Sequence, residues 1–124
     1  MRRLAKRSTL AFVVAAIAAL ALVQLALGAA GPRASSTTDQ VRGKEFSFKL
    51  STRSSRRPGK VRFTFRNVGT VQHDFRINGK QTPLIRPGKS ASIVVNFKKP
   101  GTYRYICTVP GHAAAGMRGV FTVR

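Results

Sequence analysis

Beyond the initiator methionine, the soft or borderline metal donors of this sequence are His73, Cys107, His112 and Met117. Three of them share one segment, Cys107-Thr-Val-Pro-Gly-His112-Ala-Ala-Ala-Gly-Met117, with the spacing Cys-x4-His-x4-Met. Taken singly, each has an ordinary explanation. A Cys ending an apolar stripe packs as a small hydrophobe, a Met after a Gly fills a core, and a His on a strand makes hydrogen bonds. Taken together they have a more specific one. Two imidazoles, a thiolate and a thioether are the donors of a type 1 copper centre, with a trigonal His2Cys plane and a weak axial Met. Thiolate and thioether suit a cuprous ion, imidazole suits both oxidation states, and zinc sites rarely use Met. The expectation is one copper ion held by His73, Cys107, His112 and Met117.

Other chemistry has few residues to work with. A single Cys excludes an internal disulfide framework and a multi-Cys zinc or iron–sulfur site. Three acids leave little for a carboxylate-pair hydrolase or a calcium cage. A copper oxidase or nitrite reductase would need further histidines for a second metal centre, and the chain has 2. The expectation is therefore a carrier and not an enzyme.

The elements that must position these donors read as strands. From Gly43 onward apolar residues recur with period two: Phe46, Phe48, Leu50; Val61, Phe63, Phe65; Val71, His73, Phe75, Ile77; Ile93, Val95, Phe97; Tyr103, Tyr105, Cys107; Phe121, Val123. Asn78-Gly79 is a hairpin signal, and Pro-Gly pairs break the pattern at 58–59, 87–88 and 100–101. No helical period appears after residue 30. Six to seven short strands at this spacing predict an all-β domain, a β-sandwich. Pro110-Gly111 and Gly116 supply the turns that would bring His112 and Met117 back toward the metal.

The first nine residues carry four cations and no acid, and residues 10–27 are apolar apart from Gln24. Small residues follow. This is the layout of a secretory signal, in a run also long enough to be an N-terminal membrane anchor. Residues 1–30 are thus predicted to be signal or anchor, 31–42 a polar linker, and 43–124 the domain, exported in either case. Without 1–30, the 23 Lys and Arg fall to 19 against 3 acids, a net +16. Such charge commonly marks a nucleic-acid binder. An exported protein without a groove-reading helix or an RNA-binding aromatic motif is not expected to be one. An acidic redox partner or an anionic membrane surface fits better.

Residues 43–124 resemble the cupredoxins, and among them the small plastocyanin- and auracyanin-like blue copper proteins. Tyr105-Ile-Cys107-Thr-Val-Pro-Gly-His112-Ala-Ala-Ala-Gly-Met117-Arg-Gly-Val carries the resemblance most specifically, supported by Asn67-Val-Gly-Thr-Val-Gln-His73-Asp-Phe75. The resemblance implies a Greek-key β-sandwich of about seven strands and one-electron transfer by a monomer through a Cu(I)/Cu(II) couple. A copper carrier or storage protein is the alternative. Two features depart from the common pattern. Four residues separate Cys107 from His112 where many plastocyanins have two, and Asp74 stands where the family often has an Asn that ties the ligand loop.

Overall fold

The computed structural model describes residues 36–124. Nine strands form two sheets: β1 (Thr37–Lys44), β2 (Ser47–Leu50), β3 (Ser54–Ser55), β4 (Gly59–Asn67), β5 (Arg76–Ile77), β6 (Lys80–Gln81), β7 (Ser90–Phe97), β8 (Gly101–Ile106) and β9 (Arg118–Val123). The four-stranded sheet has the order β2-β1-β4-β7 and the five-stranded sheet β3-β9-β8-β5-β6. Pairing is parallel for β1–β4 and β3–β9 and antiparallel elsewhere. The chain passes repeatedly from one sheet to the other, which closes the sandwich expected from the alternating stripes.

The core follows that alternation. Phe63, Phe65, Phe75, Phe97 and Phe121 are buried with Val41, Val61, Val95, Val123 and Ile77. Phe63 meets Phe75 and Phe121 with ring centroids 5.4 and 5.2 Å apart. Between β5 and β6, Asn78 (φ 46°) and Gly79 (φ 75°) make the two-residue turn that Asn-Gly signals, both in the left-handed region that such a hairpin requires.

Two expectations differ from the structure. Thr37–Lys44, which overlaps the 31–42 segment read as a linker, is β1. Its inward positions are Asp39, Val41 and Gly43, so a single apolar residue marks its core face and no hydrophobic period reveals it. Asp39 is buried because Ser51 Oγ (2.6 Å), Thr52 N (2.9 Å) and Thr52 Oγ1 (3.1 Å) donate to its carboxylate. The expected six to seven strands correspond, among the described residues, to six strands of four or more residues, to which β3, β5 and β6 add two-residue pairings. The stripe at residues 71–77 is mostly irregular: Val71 is 44 % exposed, His73 makes one isolated bridge to Ile85, and only Arg76–Ile77 is strand. The predicted leader at 1–30 lies outside the described residues.

Candidate metal centre

The four donors arrive from two stretches of chain. His73 is pinned by reciprocal backbone bonds with Ile85, His73 N to Ile85 O at 3.2 Å and Ile85 N to His73 O at 2.8 Å. Buried Asn67 braces the same loop, its amide donating to Val71 O and Ile85 O, both at 2.7 Å, and its carbonyl accepting from Gly69 N at 2.9 Å. The other donors lie on a loop between β8 and β9. Cys107 N donates to Met117 O at 3.0 Å and Met117 N to His112 O at 3.0 Å, which closes the loop on itself. Gly111 (φ 83°) and Gly116 (φ 123°) turn the chain in the left-handed region, at the two places where the sequence predicted turns.

His73 Nδ1 lies 3.1 Å from His112 Nδ1 and 3.9 Å from Cys107 Sγ, and the sulfur lies 3.6 Å from His112 Nδ1. The three ligand atoms therefore converge. A triangle with these sides has a circumradius of about 2 Å, which is the length of a metal bond to imidazole nitrogen and slightly short of one to thiolate sulfur. His73, Cys107 and Met117 are buried, whereas His112 is half-buried. Burial pushes the Cys107 thiol above its ordinary pKa by desolvation. A thiolate here needs a cation beside it, which a bound metal would supply. Met117 packs under the loop against Gly43 of β1: a Cβ at Gly43 would come within 2.5 Å of the Phe65 ring and 2.9 Å of the Met117 methyl.

Around the donors, Asp74 settles a point the sequence raised. It is buried and accepts from Thr108 N (2.6 Å), from Gln81 Nε2 (2.8 Å) and, at short range, from the Thr108 hydroxyl. The acid therefore ties the residue after His73 to the residue after Cys107. The β1–β2 hairpin turn, Glu45-Phe46, was not among the expected site residues. Glu45 Oε1 lies 2.9 Å from His73 Nε2, and the Phe46 ring meets the His112 ring edge-on at 4.9 Å. Glu45 also accepts from Val71 N at 2.9 Å and Thr70 N at 2.8 Å, and its pKa is lowered to about 2, chiefly by the Val71 amide and then by His73. A carboxylate 28 residues before His73 carries no spacing signal. Its rarity, as one of 3 acids in the chain, was the available clue.

The sandwich and its donor set define a small β protein built around one metal site, with donors suited to copper. Residues 35–124 match the model of the copper-binding proteins of the plastocyanin/azurin family. The chain belongs to that family, and its cofactor is a single type 1 copper ion. Auracyanin-B of Chloroflexus aurantiacus is 50% identical over 42 residues, which is 34% of this chain and 18% of auracyanin-B. The copper-resistant cuproprotein CopI of Rubrivivax gelatinosus is 29% identical over 114 residues, 74% of this chain and 68% of CopI. Among solved structures, dithionite-reduced auracyanin of Roseiflexus castenholzii superposes with a TM-score of 0.62 at 25% identity, covering 72% of this chain and 98% of that one.

Proposed function

We propose that this protein is an exported, monomeric electron carrier in which His73, Cys107 and His112 would hold the copper ion, with Met117 as a weaker fourth donor. The observation that carries the reading is the donor triangle, two Nδ1 atoms and one Sγ between 3.1 and 3.9 Å apart, with His112 as its half-buried corner. Copper supplies a one-electron couple between its cupric and cuprous states. The chain supplies the rest. Backbone bonds close the 107–117 loop and lock the His73–Ile85 pair, so the donors have little freedom to rearrange when the charge changes. The short Asp74–Thr108 link clamps the two ligand segments together.

His112 is the corner at which an electron would leave. Its surroundings are small or apolar: Val109, Pro110 and Ala113 to Ala115 on its own loop, and Phe46, 41 % exposed, against its ring. Such a surface sheds water on contact and brings a partner's cofactor close to the imidazole. The partner would be an acidic redox protein, drawn by the cationic surface.

Copper carriage or storage is a second reading, favoured by the similarity to proteins named for copper resistance. Burial of His73 and Cys107 weighs against it, because a carrier must open its site to hand an ion on. One set of measurements on the full chain separates the readings. With one equivalent of Cu(II) the electron carrier turns intensely blue through Cys107 charge transfer, cycles reversibly, and keeps its copper against a chelator. Cys107→Ala removes the colour. A colourless copper complex overturns the site, and prompt loss of blue-site copper to the chelator favours carriage.

A further inference from the structure

Three N–H groups converge on one oxygen of Glu45. Thr70 N (2.8 Å), Val71 N (2.9 Å) and His73 Nε2 (2.9 Å) all lie against Oε1. The two loop amides need only an acceptor, and at a partly exposed turn water would serve. His73 is different, because it is 0 % exposed and its second ring nitrogen needs a partner from the protein. The chain brings it an anion. Gly69 makes room, since a Cβ at that position would collide with the Glu45 carboxylate.

We propose that Glu45 is a positioning residue for the metal centre, whose carboxylate holds His73 as the Nε2–H tautomer with Nδ1 turned into the donor triangle, and whose charge favours the cupric over the cuprous state. The tautomer follows from the pairing. A carboxylate only accepts, so Nε2 carries the proton and Nδ1 keeps its lone pair. A metal-bound imidazole that donates its other N–H to a carboxylate is a stronger donor than one that donates to a neutral group. The cupric ion carries one more positive charge than the cuprous ion, so it gains more from that anion. The surface pulls the other way. Its many Lys and Arg disfavour the more highly charged cupric state, but they are exposed and screened by salt. The Glu45–His73 bond ends on a buried ring and is screened far less.

The inference rests on His73 being a copper ligand, and its test separates the two failures. In the full chain, Glu45→Gln leaves an oxygen that can accept the same three N–H groups and removes only the charge. The potential is measured at about 1 M salt, where the Debye length is about 3 Å and a change in net charge is screened out. The blue colour is expected to persist while the preference for the cupric ion falls about tenfold, a rise in potential of about 59 mV for a one-electron couple. A nitrogen-15 NMR measurement on the wild-type cuprous protein, which is diamagnetic, reads the tautomer directly and does not depend on the variant folding. It should show His73 Nε2 protonated, with a downfield proton protected from exchange. A blue variant with unchanged potential overturns the inference alone, as does a wild type with His73 Nε2 unprotonated. A colourless copper complex of the wild type overturns the copper-site reading and this inference with it.

Discussion

Met117 and Gly43 show how far a single position can reach. Gly43 is on β1, some seventy residues before Met117, and the absence of its Cβ is what lets the Phe65 ring and the Met117 methyl share one space. Met117 is thereby held 0 % exposed under the 107–117 loop, where it either ligates weakly or only fills volume. Met117→Leu distinguishes these roles, since Leu has similar volume and no sulfur. If Met117 is a weak thioether donor, the variant keeps its blue colour and its potential rises, because an apolar side chain in its place leaves the site drier and disfavours the more highly charged cupric state. Voltammetry and the visible spectrum read both effects. An unchanged potential means that Met117 is packing alone, and loss of copper means that it is a primary ligand. Cys107 and His112, whose ligand atoms converge with that of His73, and Met117 on the same loop could be singled out as candidates from the sequence because their type is rare and their spacing local. Gly43 and Glu45 could not. Their roles come from contacts across the sandwich that leave no period or motif in the chain.

At the scale of elements, strands with a regular hydrophobic alternation were readable. In β4 and β7 the inward Val61, Phe63, Phe65, Val95 and Phe97 lie where period two puts them. β1 is not readable, because two of its three inward residues are Asp39 and Gly43, whereas the short β5–β6 hairpin has no hydrophobic period of its own and is announced by its Asn78-Gly79 turn. The stripe 71–77 has the alternation of a strand, yet turns and side-chain bonds hold most of it. Asn67, Glu45 and Asp74 take the place of a neighbouring strand there. Asp74 is the sharpest case, a buried acid joining the two ligand-bearing segments through Thr108. Asp74→Ala leaves the Thr108 and Gln81 donors without their acceptor. It is expected to cost about 1–3 kcal/mol in a denaturant titration of the apoprotein, and also to broaden the copper absorption as the Cys107 segment loosens. Asp74→Asn, which retains one acceptor oxygen, should lose less on both counts. Equal and negligible losses in both variants would show that the loop is held by its backbone bonds alone.

For the molecule as a whole, the use of the three acids decides the surface. Asp39, Glu45 and Asp74 are each committed to an internal network, and among the described residues no Lys or Arg makes an ion pair with a carboxylate. The cations therefore stand unneutralised on the faces of the sheets. Cross-strand register puts Arg42 of β1 beside Lys49 of β2 and Arg66 of β4. Like charges so placed destabilise the sheet somewhat, which is a reason to expect that the charge serves something other than folding. The metal loop is the contrast, since residues 108–117 contain no charged side chain. On the electron-carrier reading, attraction and close contact would fall to different surfaces, and they can be altered separately. If the cations steer an acidic partner, raising the salt so that the Debye length falls from about 30 to about 8 Å should cut the second-order rate of electron transfer steeply. If His112 is the exit, Ala114→Glu should slow transfer by placing a desolvation cost in the contact, without moving the copper spectrum. That slowing should persist at high salt, where steering has already been lost. A rate indifferent to salt would assign the basic faces to an anionic membrane surface, testable by binding to anionic vesicles. A rate indifferent to Ala114→Glu would move the exit from His112 to the surface beside Cys107 and Tyr105.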